Sequence, residues 1–247
     1  MSATGGWHDD PAKDYRRRYE LPDQFVWDEA AWPRIDFDGY TEVALKLLPP
    51  PPARVLDVGC GPGAGAARLL EHGYAVTGVD FSDRAVGFAK LMVPAGTFVE
   101  ADIRGLGQIE GLGAPFDAAW CIEVLEHVPP EDRDAMLGGI RDMLRPGGSL
   151  VLTTPNPRMH GNPWDYRRAD LSELRGLLAE AGLQVVDVRF QHLLTPLFSR
   201  GVWRLLSNGA YDLRAARHAM RRWFLKRWNV VRDERRAGRY VIRADRP

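Results

Sequence analysis

Residues 53–63 read Ala-Arg-Val-Leu-Asp-Val-Gly-Cys-Gly-Pro-Gly, an apolar strand that runs straight into three glycines spaced two apart. Gly59, Gly61 and Gly63 let a backbone turn pass close to a ligand where a Cβ would collide. The next residues, Ala64-Gly65-Ala66-Ala67-Arg68-Leu69-Leu70, read as a helix starting at that turn, so its free N–H groups and positive dipole end are expected to face the ligand. This describes a nucleotide-type pocket. Gly59-x-Gly61-x-x-Ala64 also fits the looser dinucleotide fingerprint, so the glycines alone select no cofactor. Asp57, a carboxylate inside the strand, suits a ligand carrying an ammonium group better than one carrying a pyrophosphate.

Strand and helix signals alternate from residue 53 onward. Residues 55–58, 75–79, 97–99, 117–122 and 149–154 read as short apolar strands, with helices over 63–72, 82–92, 131–144 and 170–181. The glycine-rich stretch from Asp102 to Pro115 supports at most a poor helix. Such alternation predicts a parallel sheet with right-handed crossovers and helices on both faces. A sixth strand is expected over 183–190 and a final one at 239–243.

With 247 residues, one main domain is favoured. No apolar run approaches the ~18 residues of a membrane span, and the N-terminus lacks the basic and apolar regions of a secretion signal, so a cytoplasmic location is expected. Cys60 and Cys121 read as packing residues. Net charge is zero, yet residues 200–247 hold 14 Arg or Lys against 4 Asp or Glu. That asymmetry fits either an anionic partner or a basic helix packed on an acidic core. Pro49–Pro52 separate an aromatic flank, residues 1–47, from the core at 53–190. Residues 191–238 read as a basic helical insertion, in which Leu213, Ala216, Met220, Trp223, Phe224 and Arg227 fall at helical spacing, before the last core strand and C-terminus at 239–247. The insertion is expected to cap the sheet edge or the substrate pocket.

Asp80 ends the second strand 23 residues beyond Asp57, where a carboxylate can accept hydrogen bonds from both hydroxyls of a ribose. The run Asp57-x-Gly59-x-Gly61-x-Gly63 resembles the first motif of the class I S-adenosylmethionine-dependent methyltransferases. Phe116–Pro129, Leu144–Leu152 and Thr154–Pro157 extend the likeness to the small-molecule branch that includes ubiquinone-biosynthesis O-methyltransferases, over about residues 53–190. A nicotinamide dehydrogenase leaves the last two motifs unexplained. The resemblance implies an α/β fold, a Rossmann-like doubly wound sheet of seven strands, mostly parallel with an antiparallel last strand. It implies S-adenosylmethionine as donor and S-adenosylhomocysteine as product. It places the cofactor against Asp57, Gly59, Cys60, Gly61 and Gly63, and against Asp80, Phe81 and Ser82 after the second strand. Asp102 then faces the adenine amino group, with Ile103 along the ring and Ile122 at the end of the fourth strand. In such a family the N-terminal flank folds over the cofactor as a lid, for which Tyr15, Tyr19 and Arg34 are the candidates.

If residues 123–127 form a helical turn, Glu123, Glu126 and His127 share one face at the carboxyl end of the sheet. Three readings stand. The acidic groups favour a helix dipole; His127 takes the proton from a substrate hydroxyl; or the three hold a divalent ion such as Mg, as in some relatives. His160 is a further catalytic candidate, in a loop that with Trp164 and Asp165 forms a wall of the acceptor pocket. The expected activity is methyl transfer to an oxygen of a small molecule (quinone, phenol, secondary metabolite or sugar). Transfer to nitrogen, to a ribose hydroxyl of RNA, and a cofactor-binding module without turnover are the alternatives. Nucleic acid is the less favoured partner, and the sequence assigns no oligomeric state.

Overall fold

In the computed structural model of this chain the described residues are 19, 21–26, 32–109, 111–159, 165–192, 214–227 and 230–247. Two helices precede the sheet, α1 (Asp23–Val26) and α2 (Trp32–Leu45). The core then alternates: β1 (Arg54–Val58), α3 (Ala64–Glu71), β2 (Ala75–Asp80), α4 (Asp83–Met92) and β3 (Thr97–Glu100). A 3-10 turn over Ile103–Gln108 takes the place of the poor helix expected there. β4 (Phe116–Ile122), α5 (Arg133–Met143), β5 (Leu144–Pro155), α6 (Leu171–Glu180) and β6 (Gln184–His192) follow. α7 (Arg214–Arg227), β7 (Val230–Val231) and β8 (Ala237–Asp245) complete the described elements.

The strands form one sheet in the order β3-β2-β1-β4-β5-β8-β6-β7. β3 to β5 pair in parallel, whereas β8 runs antiparallel between β5 and β6. Eight strands are therefore present among the described residues, one more than the sequence suggested. The extra one is β7, two residues that pair with Phe190 and Gln191 at the edge, so the segment read as a helical insertion also contributes to the sheet.

Successive strand residues point to opposite faces and meet different helices. Leu56, Cys121, Leu152 and Ile242 pack with Met136, Leu137 and Ile140 of α5 and with Leu174 and Leu178 of α6. Val55, Trp120, Val151 and Val241 pack with Val43 and Ala44 of α2, Leu69 of α3 and Val86 and Ala89 of α4. Both faces being covered explains why the strands read as near-continuous apolar runs.

Four arginines of the last quarter, Arg221, Arg239, Arg243 and Arg246, are partly buried, whereas Arg222, Lys226, Arg232, Arg235 and Arg236 are exposed. Arg221 on α7 meets the fully buried Asp38 of α2, which also accepts from Arg34 (3.2 Å) and Arg68 of α3 (2.6 Å). Arg243 pairs with Asp245 (2.8 Å), and Arg246 donates to the carbonyls of Arg141 and Leu144 (2.9 and 2.5 Å). Among the described residues no helix is long and apolar enough to cross a membrane.

Gly78 in β2 lets Phe98 of β3 and Cys60 of the glycine turn approach, because a Cβ there would sit 2.7 Å from Phe98 Cδ1 and 2.9 Å from Cys60 Sγ. Gly78→Ala is therefore expected to destabilise the fold by about 1–3 kcal/mol through overpacking, read from the urea midpoint at unchanged m-value.

Candidate active site

A cleft of about 590 Å³ opens at the carboxyl ends of β1, β2 and β4, where the order of the parallel strands reverses direction; this is within the ~300–1,000 Å³ common for small-molecule sites. Gly59 and Gly61 have φ angles of 70° and 51°. A Cβ on Gly59 would lie 2.6 Å from Val124 Cγ2, so the turn is closed to side chains by both conformation and space. The amides of the turn itself are taken up within the protein. Those of Gly59 and Cys60 donate to the Val79 carbonyl (2.8 and 3.0 Å), and that of Gly61 donates to Asp80 Oδ2 at 2.9 Å. The glycines serve close approach and the orientation of Asp80. The Ser82 amide holds the other oxygen of Asp80 at 3.0 Å, which fixes the carboxylate at the cleft edge.

Asp57 differs in kind. It is buried and accepts from the Ala66 amide, but its Oδ2 has no hydrogen-bond partner among the described residues. Burial first, and the charge of Asp80 second, push its carboxyl up to about 8. A Cβ on Gly65 would stand 3.3 Å from that oxygen, so the space beside it depends on the missing side chain. An unmatched carboxylate in a cradle of this kind fits a cationic group of a ligand.

Phe81, Cys60, Ile103 and Ile122 line the cleft as expected, and Tyr19 lies over the glycine turn, its hydroxyl 3.1 Å from where a Gly61 Cβ would be. Asp102 lines it too, while capping the 3-10 turn through the Arg104 amide (2.9 Å) and pairing with the Arg104 guanidinium. Three expectations are corrected. Gly63 is absent from the lining and backs onto α4, where a Cβ would meet Ala89 at 3.2 Å. Ser82 is buried as the N-cap of α4, accepting from the Ala85 amide at 3.3 Å. Arg34 is turned to Asp38 instead of the cleft. Tyr15, His160 and Trp164 lie outside the described residues.

The far half of the cleft also departs from expectation. Only Leu125–His127 is helical, as a 3-10 turn, and Glu123 adopts a left-handed φ of 57°, so Glu123, Glu126 and His127 do not share a helical face. Such a conformation costs a non-glycine residue about 1–2 kcal/mol. Its amide is held by the Thr153 carbonyl at 3.1 Å, its Oε1 by the Thr153 hydroxyl at 3.0 Å and its Oε2 by Arg239 Nε at 2.7 Å. Arg239 grips Asp36 of α2 with its other two nitrogens (2.9 and 2.8 Å) and stacks 4.6 Å over the Tyr40 ring. Glu126 points into the buried floor beside the Thr154 hydroxyl at 3.2 Å, where burial and then Glu123 raise its pKa well above the carboxylate range. His127 instead meets Asp165, Nδ1 to Oδ1 at 3.5 Å, and Asp165 is held by Arg168 at 2.6 Å. Among the described residues no three metal-capable side chains come together.

Sequence reasoning named Asp165 only as part of a loop, and passed over Asp36, Arg168 and Arg239 as lining groups. Arg239 did carry a signal, as a charge at the head of an apolar strand, but its partners are 203 and 116 residues away.

The fold and this cleft define a methyltransferase. A family model described as a methyltransferase domain matches residues 34–188, and the chain belongs to that family; with this fold it is a class I S-adenosylmethionine-dependent methyltransferase by descent. The ubiquinone biosynthesis O-methyltransferase of Xanthomonas axonopodis pv. citri is 37% identical over 53% of this chain and 56% of its own length. The chain thus matches little more than half the length of that relative. Among solved structures, the Burkholderia thailandensis 1,6-didemethyltoxoflavin-N1-methyltransferase, with 1,6-didemethyltoxoflavin and S-adenosylhomocysteine bound, is similar over 100% of this chain and 91% of its own at 22% identity and a TM-score of 0.58. The [4+2]-cyclase SpnF is similar over 85% of this chain and 81% of its own, with 23% identity and a TM-score of 0.56. Both likenesses concern the fold.

Between the ordinary carboxyl value of 3.8 and about 8, native Asp57 retains a proton that the unfolded chain has lost, so it lowers stability as pH rises through that window. Asp57→Asn is expected to raise the Tm of the ligand-free protein, with the gain larger near pH 8 than near pH 5 in thermal scans at both values.

Proposed function

We propose that this chain transfers a methyl group from S-adenosylmethionine to a hydroxyl oxygen of a small molecule, with His127 receiving the hydroxyl proton. The observation that carries this reading is the chain His127, Asp165, Arg168 at one end of a cleft whose other end holds the unmatched Asp57.

The residues fit the donor. Asp57 is the acceptor for its ammonium group, Asp80 for its ribose hydroxyls, and Asp102 with Ile103 for its adenine; Tyr19 closes over the turn. When bound, S-adenosylmethionine supplies an electrophilic methyl on a sulfonium. The protein's task is then orientation: holding reactants at near-attack geometry is worth about 7–11 kcal/mol. α2, through Phe37 and Tyr40, and the loop bearing Tyr166 supply the aromatic walls on the acceptor side.

A neutral alcohol or phenol is a poor nucleophile, so an oxygen acceptor needs a base. In His127 the contact of Nδ1 with Asp165 favours a proton on that nitrogen and leaves Nε2 as the accepting atom. Arg168 holds Asp165 in place. The O-methyltransferase relative supports the oxygen assignment, whereas an amine acceptor would need no base. Because the same fold also occurs in a [4+2]-cyclase, turnover is the decisive property.

Turnover of labelled donor with a panel of phenols and sugars tests the reading. His127→Ala is expected to lower kcat by about 10²–10⁴ with S-adenosylhomocysteine affinity within about twofold of the parent. Asp165→Asn should lose less, in kcat and not in donor binding. Undiminished turnover in His127→Ala removes the base, and transfer to amines alone moves the activity to nitrogen.

A further inference from the structure

We infer that the acceptor is a neutral or cationic molecule and that acceptors bearing a carboxylate or phosphate are rejected; this rests on the cleft being the site of methyl transfer. Seven of the described lining side chains are carboxylates and three are guanidinium groups. Each guanidinium is already committed. Arg104 bridges Asp102 and Asp132, Arg168 holds Asp165, and Arg239 spans Asp36 and Glu123.

Recruiting one of them for an acceptor anion would undo a fixture of the site. Arg239 holds Glu123 in its left-handed conformation and joins α2 to β8; drawn away, it would leave two carboxylates facing each other in a half-buried pocket. Arg168 withdrawn from Asp165 would free the group that orients His127. A donor ammonium would engage Asp57 and leave the acceptor half unchanged: Asp36, Glu123 and Asp165 against Arg168 and Arg239, beside a Glu126 carboxyl whose burial holds its proton. An incoming anion therefore meets net negative charge in a half-buried cleft, where like charges repel more strongly than in open water. A neutral ring loses nothing there, and an ammonium gains from the carboxylates.

Three catechols with a cationic, a neutral and an anionic side chain provide the test: dopamine, 4-methylcatechol and 3,4-dihydroxyphenylacetate. Each is titrated by calorimetry into the full chain saturated with S-adenosylhomocysteine, whose own binding is measured first. Expected is a Kd at least about tenfold lower for dopamine and 4-methylcatechol than for the acid, the equivalent of ~1.4 kcal/mol. Asp36→Asn, which removes one carboxylate and releases half of Arg239, should narrow that ratio at least about threefold. Equal or tighter binding of the acid overturns the inference, as does binding of none of the three, or a ratio that Asp36→Asn leaves unmoved. Failure of S-adenosylhomocysteine to bind strikes the proposed function itself and is seen before any catechol is added.

Discussion

The guanidinium of Arg239 joins three parts of the chain that lie far apart in sequence. Through Asp36 it fixes α2, through its own backbone it belongs to β8, and through Glu123 it reaches the tip of β4. Burial alone would lower the pKa of this arginine, but Asp36 and Glu123 more than offset that and hold it charged. Buried ion pairs of this type contribute little net stability relative to apolar packing. What they contribute is geometry: removing any member leaves an uncompensated charge, so the three elements keep one arrangement. The left-handed Glu123 then sets where the chain turns into Leu125–His127, and so where His127 stands.

Behind this wall a second junction does comparable work. Asp38 follows the cleft-lining Phe37 in α2 and is fully buried, and it gathers guanidiniums from α2, α3 and α7. α3 begins at the glycine turn beneath the cofactor side, whereas α7 comes from the segment inserted between β6 and β8. A single carboxylate thus joins α2 and the helix that follows the glycine turn to α7. The uneven charge of the chain acquires an internal explanation here: the acidic first part and the basic last part meet as Asp36 with Arg239 and Asp38 with Arg221. Both pairs lie between residues nearly two hundred positions apart.

The donor half was legible in the sequence because its signals are local. Asp57, Gly59, Gly61 and Asp80 sit at strand ends whose identity follows from apolar runs, and the parallel sheet follows from their alternation with helices. Gly63 and Ser82 belong to the same motifs, yet face α4 or cap it; spacing places them near the turn without saying which way they point. The acceptor half was read less well because its geometry is made by contacts across the whole chain. Helical periodicity put Glu123, Glu126 and His127 together, but the positive φ of Glu123 breaks that period. It exists only because Thr153 and Arg239 hold it. Likewise, Arg133 donates from inside α5 to the carbonyls of Val128 and Arg167, pinning the two loops that carry His127 and Asp165. Neither loop advertises the other.

Asp57 and Asp80 show how one turn gives two carboxylates opposite roles. Both are buried, and both lie at the carboxyl ends of neighbouring strands. Asp80 accepts from two backbone amides, which replace the water it has lost and keep it oriented. Asp57 has one such amide and an oxygen with none, and the charge of Asp80 works against its ionisation. In the ligand-free protein that site is under electrostatic stress. A cation brought to Oδ2 relieves it, so part of the attraction for a positively charged ligand is stored beforehand in the fold instead of being built by closure around it.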